Sequence, residues 1–172
     1  MTSMSGWISV LVDMRAPLYR DAARRGYGAP QEAAEMILVD TGPLVALFDP
    51  QDEQHNRCRK TLRQMRESIL TTTAVLTEAF HMLGPASIGS DRLRQFVEDG
   101  GLSMWFIDRA WLTRAFELME LYADHPMDLA DASLVAAAEA LGTRRVFTID
   151  RKDFETYRVR RGHRHYPVEI VS

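Results

Sequence analysis

Cysteine and long apolar runs are scarce in this chain. Cys58 is the single cysteine among 172 residues, which excludes a disulfide framework and a zinc site built from cysteines, and fits a reducing compartment. The longest early apolar run, residues 8–12, is too short for a membrane span or for the apolar core of a signal peptide. We therefore expect a soluble, cytoplasmic protein.

Several sequence motifs of well-known enzyme classes are also missing. The chain has no glycine-rich phosphate loop, no dinucleotide glycine fingerprint and no Gly-x-Ser-x-Gly turn. Asp40-Thr41-Gly42 matches the triplet of aspartic proteases, but Pro43 follows it and starts a helix where those proteases have a β-rich loop. Gly42 also stands where a haloacid-dehalogenase-type phosphatase has a second aspartate. These sequence features argue against both enzyme classes.

The composition indicates one globular domain preceded by an extension. With 46% hydrophobic and 26% charged residues, the chain is long enough to bury a sizeable core. Residues 1–35 lack sustained periodicity and include the breaker-rich stretch at residues 26–30. We expect residues 1–35 to be an N-terminal extension, either a mis-assigned start or a poorly ordered segment. Residues 36–172 are predicted to form the working domain.

Apolar strand-like runs and helix-like periodic segments alternate from residue 36 onward. The patterns predict strands at 36–40, 69–72, 102–107 and 146–149, with a last edge strand at 167–171. Helices are predicted after the first strand and at 52–67, 73–83, 90–99, 110–123 and 128–141. This alternation predicts an α/β fold with a mostly parallel sheet and helices on both faces.

Four acidic residues occupy positions that this pattern predicts to be buried. Asp40 and Asp150 end two apolar strands, and Glu78 and Asp131 interrupt the apolar faces of two helices. Ligands of open α/β sheets gather at the carboxyl ends of the strands. Because a buried carboxylate without a partner costs about 3–5 kcal/mol, such a set requires a cation. The four acids therefore predict a metal-binding site.

Each acid also has a structural explanation when it is considered alone. Asp40 and Asp150 could cap the helices that follow them, and Asp131 could complement a helix dipole, although Asp128 is placed better for that purpose. All four together favour a site. Oxygen ligands without matched histidine or cysteine indicate Mg²⁺ or Mn²⁺. Such a site is suited to metal-assisted hydrolysis of a phosphodiester.

The charge of the chain is distributed unevenly. Residues 36–143 contain nine basic and sixteen acidic side chains, whereas residues 144–172 contain eight basic and four acidic ones. Most of the positive charge lies in the tail segment 158–165. A basic edge beside an acidic cluster suits a polyanionic substrate. A solvated final turn explains the same charges equally well, so both interpretations stay open.

Four short motifs together resemble one known family. Val39-Asp40-Thr41, Leu76-Thr77-Glu78-Ala79, Asp128-Leu129-Ala130-Asp131-Ala132 and Thr148-Ile149-Asp150, with Asp153-Phe154 soon after, occur in this order over residues 36–172. Their order and spacing resemble those of PIN-domain ribonucleases. The group most similar is the VapC-like toxins of type II toxin–antitoxin pairs.

The resemblance implies an α/β/α sandwich and a Mg²⁺- or Mn²⁺-dependent endoribonuclease. Asp40, Glu78, Asp131 and Asp150 match the acidic quartet of the family, which would bind the metal and position the attacking water. Thr41 and Thr148 match positions that place hydroxyls near the site, and Asp128 is a lesser candidate. The resemblance also implies an RNA substrate, a homodimer, and a small antitoxin whose arginine enters the acidic pocket.

Two other functions are kept as alternatives. One is a non-catalytic PIN-type module that binds RNA or protein, and in which the acids hold no productive metal. The other is a small-molecule phosphohydrolase that uses the same acidic site.

Overall fold

A five-stranded, entirely parallel sheet forms the centre of the molecule. In the computed structural model, residues 36–172 are described, and the predicted extension at 1–35 lies outside them. The strands are β1 (Met36–Val39), β2 (Ser68–Thr72), β3 (Ser103–Trp105), β4 (Arg145–Phe147) and β7 (Glu169–Val171). Their order across the sheet is β3-β2-β1-β4-β7. Strand order therefore reverses around β1, which is where open α/β sheets form their ligand sites.

Seven helices flank the sheet in the described part of the chain. They are α1 (Thr41–Phe48), α2 (His55–Gln64), α3 (Thr73–Leu83), α4 (Ile88–Glu98), α5 (Arg109–Leu121), α6 (Leu129–Leu141) and α7 (Arg151–Thr156). The predicted parallel sheet with helices on both faces, and the α/β/α arrangement, are confirmed. Within residues 36–172, none of these helices is long and apolar enough to cross a membrane.

One predicted helix start needs correction. The helix expected from residue 52 begins at His55, because the residues before it form turns. The helix predicted at 73–83 has those bounds, and its cap is Thr72, whose hydroxyl accepts a hydrogen bond from the amide of Val75 at 3.3 Å. Thr72 is thus both the last residue of β2 and the cap of the next helix, which makes the connection as short as possible.

The core consists of the buried central strands and the helix faces packed on them. Ile37, Leu38 and Val39 of β1 are fully buried, and each such side chain contributes about 1.5–3 kcal/mol. Small residues in the middle of α6 are equally buried, which allows α6 to pack closely on its neighbours. Gly142, at φ 69°, ends α6 in the left-handed conformation. The buried strands bring their carboxyl ends, and the acids that follow them, to one edge of the sheet.

The basic tail segment forms a separate two-stranded hairpin, which the sequence analysis did not predict. Strands β5 (Arg158–Arg161) and β6 (Arg164–Pro167) pair antiparallel, and Gly162, at φ 59°, lies in the turn between them. Val159 is fully buried beneath the hairpin. The hairpin is attached to α6 through Glu139, whose carboxylate accepts a hydrogen bond from the amide of Arg160 at 3.1 Å. The arginine-rich segment therefore forms a hairpin whose tip is exposed to solvent.

Candidate active site

Asp40 directly follows β1, at the carboxyl edge of the sheet. Its amide donates to the carbonyl of Phe147 at 3.0 Å, and only 6% of the residue is exposed. Oδ1 accepts a hydrogen bond from the Thr41 amide at 2.6 Å, and Oδ2 accepts one from the Thr148 hydroxyl at 2.8 Å. The pKa of Asp40 is raised to about 6, mainly because the carboxyl is buried. The two hydrogen bonds lower this pKa, and the negative charges of Glu78 and Asp128 contribute to raising it.

Thr41 joins the second predicted acid to the first. The Thr41 hydroxyl donates to Oε2 of Glu78 at 2.7 Å, while the amide of the same residue binds Asp40. Glu78 is half-buried in α3, between the fully buried side chains of Val75 and Ala79. Glu78 therefore faces inward, as its position on the helix predicts. Thr41 orients two carboxylates, those of Asp40 and Glu78.

Asp131 lies in the first turn of α6. Asp128 caps this helix, as the sequence predicts, and its Oδ1 accepts a hydrogen bond from the Asp131 amide at 2.9 Å. Burial raises the pKa of the Asp131 carboxyl to about 8, and the charges of Asp40, Asp128 and Asp153 add to this effect. Asp40 and Asp131 come from distant parts of the chain, and their negative charges oppose each other in one pocket.

Asp150 stands apart from the other three predicted acids. It is exposed, and its Oδ1 caps α7 by accepting a hydrogen bond from the Asp153 amide at 3.2 Å. Its backbone is connected to the site, because the Asp150 amide donates to the Thr148 hydroxyl at 2.9 Å, and that hydroxyl binds Asp40. The carboxylate of Asp150 thus has the structural function that sequence reasoning left open, and its role as a metal ligand stays a prediction.

Two residues at the site, Tyr157 and His125, were not singled out from the sequence. The Tyr157 hydroxyl donates to Oδ2 of Asp131 at 2.9 Å, and burial raises the pKa of Tyr157 far above its ordinary value. Nε2 of His125 lies 2.8 Å from Oδ1 of Asp153. Tyr157 could have been noticed in the sequence, because it follows Asp150 and lies one helical turn after another aromatic residue, Phe154.

The acidic pocket has no basic side chain to balance it in the part of the chain that the structure describes. None of the ion pairs within residues 36–172 involves Asp40, Glu78, Asp128, Asp131 or Asp150. Buried carboxylates of like charge are costly without a cation. A divalent metal ion is the partner that would lower both raised pKa values.

The side chains suit a weakly held hard cation better than a closed metal cage. No three histidine, cysteine or acidic side chains among residues 36–172 converge closely enough to hold a metal ion as they stand. Mg²⁺ keeps several waters and is commonly bound by one or two carboxylates together with substrate phosphates. The carboxylates of Asp40 and Asp131 fit that requirement, because Asp40 is buried, Asp131 is partly buried, their negative charges interact, and each accepts a hydrogen bond from a neighbouring hydroxyl.

Comparison with known proteins identifies relatives that share this fold. Ribonuclease VapC26 of Mycobacterium tuberculosis (strain ATCC 25618 / H37Rv) is 23% identical over 125 residues, which cover 71% of this chain and 92% of VapC26. The crystal structure of Mycobacterium tuberculosis VapC20, a Sarcin-Ricin loop cleaving toxin, superposes with a TM-score of 0.63 at 17% identity. The superposition covers 68% of this chain and 92% of VapC20.

The family itself follows from a match over most of the working domain. The model of the PIN domain family matches residues 37–159, a range that includes all four predicted site acids. The sequence-based resemblance is therefore confirmed: the chain belongs to the PIN domain family and is a VapC-like member of it.

Proposed function

We propose that this protein is a Mg²⁺- or Mn²⁺-dependent endoribonuclease that hydrolyses RNA phosphodiester bonds. The observation that carries the proposal is the opposition of Asp40 and Asp131. Both carboxyls are desolvated, their charges repel each other, and no basic side chain of residues 36–172 pairs with either. The relatives named above support the same function, since VapC26 is a ribonuclease and VapC20 is an RNA-cleaving toxin.

In this proposal, Asp40, Glu78, Asp131 and Asp150 would hold the metal, with Asp40 and Asp131 as the principal ligands. A bound divalent ion supplies Lewis acidity to the phosphate and makes water a better nucleophile. Thr41 and Thr148 keep the Asp40 carboxylate in one orientation by donating to its two oxygens. Glu78 is kept near that carboxylate by the Thr41 hydroxyl, which leaves it suited to position the attacking water.

Cleavage of RNA by the purified protein tests the proposal. A panel of structured RNAs is incubated with Mg²⁺, with Mn²⁺ and with EDTA, beside the Asp40→Asn variant and a control variant, Glu120→Gln. Glu120 is an exposed acid of α5, so the control removes one negative charge away from the site. We expect metal-dependent cleavage by the wild type and the control, and none by Asp40→Asn. Cleavage that survives both EDTA and Asp40→Asn would contradict the assignment.

We further infer that the protein is a cytoplasmic toxin that forms a homodimer and is silenced by a small antitoxin. The support is the VapC-like character of the chain, because VapC20 is described as a toxin, together with an acidic pocket that an arginine could enter. Light scattering on the purified protein tests the dimer. Co-expression with the product of a neighbouring short reading frame tests the antitoxin, through loss of cleavage and formation of a complex.

One observation favours an alternative function, that of a non-catalytic PIN module that binds RNA or protein. No group of three metal-ligating side chains converges within residues 36–172, as would be expected if the acids held no productive metal. The two functions differ in the cleavage experiment. A wild type that binds RNA but cuts none of the panel in Mg²⁺ or Mn²⁺ would support the module.

A further inference from the structure

The hairpin β5–β6 carries its positive charge in an arrangement that a structural role does not explain. In its register, Arg161 lies directly opposite Arg164, and Arg160 lies directly opposite His165. Like charges at directly opposed positions of an antiparallel pair are destabilising. The Arg161–Arg164 pair therefore weakens an element that is only two strands wide. A polyanion lying along the hairpin would remove this repulsion.

Two of the four hairpin arginines have structural partners. The guanidinium of Arg158 donates to the carbonyls of Glu155, Thr156 and Tyr157 at 2.8, 2.8 and 2.9 Å, and so holds the end of α7. Arg160 lies 3.8 Å from the carboxylate of Glu139, which is almost fully buried and also binds Arg114. These two arginines attach the hairpin to the rest of the domain, so their guanidinium groups are already engaged by protein groups.

The remaining two arginines have no carboxylate partner among the described residues. Arg161 donates to the carbonyl of Gly142, which fixes its position but leaves its charge unbalanced. Arg164 is exposed, and its side chain forms no hydrogen bond or ion pair among residues 36–172. His163 and His165, on either side of Arg164, are also exposed. The end of the hairpin is therefore a basic surface composed of Arg161, His163, Arg164 and His165.

The hairpin starts next to the acidic site and runs along α6 to the other end of that helix, where Arg161 contacts Gly142. Tyr157, which binds Asp131, is directly followed by Arg158, the first residue of β5. A strand rises about 3.3 Å per residue, so the basic surface begins about 13 Å from Tyr157. The match to the PIN domain family ends at residue 159. Most of the hairpin thus lies beyond the matched region.

We propose that the basic surface at the end of the hairpin β5–β6 binds the phosphate backbone of the RNA on one side of the scissile bond. This inference rests on the proposed ribonuclease function for its choice of RNA as the polyanion. Arginine and protonated histidine bind phosphate by charge-assisted hydrogen bonds, and such contacts position a strand without reading its sequence. The hairpin would therefore add affinity for many RNAs equally and make that affinity strongly dependent on salt.

The test measures RNA binding in the absence of cleavage. Binding of a fluorescein-labelled oligouridylate of about 16 nucleotides is followed by anisotropy in EDTA, with the full-length Asp40→Asn protein as the background. The variant is Arg161→Gln/Arg164→Gln. The matched control is Arg63→Gln/Arg66→Gln, which removes the same charge from two exposed positions at the end of α2 and just beyond it. Titrations run from about 50 to 200 mM salt.

We expect the hairpin variant to bind RNA at least about 5-fold more weakly, whereas the control changes affinity less than about 2-fold. The slope of log K against log salt should fall in magnitude by about 1.4 in the hairpin variant, since each lost phosphate contact on a single strand contributes about 0.7. The melting temperature of the hairpin variant should equal or exceed that of its parent, because the repulsion between strands is relieved. Arg161→Lys/Arg164→Lys should restore binding.

Equal weakening by the hairpin variant and the control would overturn the proposal, since net charge alone would then be responsible. Unchanged RNA binding combined with loss of binding to polyglutamate would also overturn it and would assign the surface to an acidic protein. Failure of the ribonuclease proposal is distinguishable, because the binding experiment needs no cleavage. A protein that binds RNA through the hairpin but cuts no RNA retains this inference and loses the enzymatic one.

Discussion

The Tyr157 hydroxyl donates a hydrogen bond of 2.9 Å to Oδ2 of Asp131, so a buried aromatic side chain orients the carboxylate whose pKa is raised most in the pocket. The Tyr157 ring is held in turn by edge contacts with the rings of Tyr122 and Phe154, at centroid distances of 5.2 and 5.3 Å. The hydrogen bond favours the charged form of Asp131 against its burial. In the proposed metal site, this hydrogen bond would keep the Asp131 carboxylate available to a cation.

Replacing Tyr157 by Phe should remove this hydrogen bond and keep the ring contacts. We expect the variant to need a higher Mg²⁺ concentration for half-maximal cleavage and to lose about 1 kcal/mol of unfolding free energy. Cleavage rates measured against Mg²⁺ concentration separate the two effects. A variant with an unchanged Mg²⁺ requirement would show that Tyr157 serves the core and not the site.

Asp40→Asn should stabilise the protein in the absence of divalent metal. The Asp40 carboxylate is almost fully buried and its pKa is raised to about 6, so its ionised form opposes folding at pH 7. We expect the neutral amide to increase the unfolding free energy by about 1–2 kcal/mol. Urea denaturation in EDTA measures this change. Marked destabilisation by Asp40→Asn would mean that the carboxylate is a structural group.

The stability of the metal-free protein should depend on the ionisation of Asp131. Its folded-state pKa, about 8, lies above the ordinary aspartate value of 3.8, so the folded state binds the proton more tightly than the unfolded state does. The stability that protonated Asp131 contributes to the folded state is therefore present at low pH, and it is lost as the pH rises from about 4 to about 8. The difference in unfolding free energy between Asp131→Asn and the wild type should grow over this range in EDTA. A constant difference would contradict the raised pKa.

Two substitutions of Asp150 distinguish its role as the cap of α7 from a role of its negative charge in cleavage. Asparagine caps a helix as well as aspartate does, whereas alanine does not and should cost about 1 kcal/mol. If the Asp150 charge contributes to the site, then Asp150→Asn should lose cleavage while keeping its melting temperature. Full cleavage by Asp150→Asn, with destabilisation only in Asp150→Ala, would restrict Asp150 to capping α7.

The acids at strand ends were predictable because buried parallel strands have a simple sequence signal. The apolar run before Asp40 and the run before Thr148 are continuous, and parallel strands bring their ends to one edge. Glu78 and Asp131 were found from helical periodicity, which places a residue on a face without giving its partners. The contacts through Thr41, Thr148 and Tyr157 depend on tertiary packing, so local sequence could indicate proximity but not geometry.

The hairpin was not predictable for a related reason. Strands β5 and β6 consist mostly of arginine, histidine and proline, which give no alternation of apolar and polar residues except around Val159. The hairpin is held by Glu139 of α6 and by burial of Val159, and both interactions are distant in sequence. Strand formation here is thus a tertiary effect that local propensity does not encode.

Mn²⁺ binding, measured by electron paramagnetic resonance, tests directly whether Asp40 and Asp131 form a divalent-metal site. Wild-type protein, Asp131→Asn and the charge-matched control Glu120→Gln are titrated with Mn²⁺ at pH 7. We expect saturable binding by the wild type and the control, and binding at least about 10-fold weaker in Asp131→Asn. Equal binding by all three proteins, or no saturable binding by the wild type, would contradict this expectation.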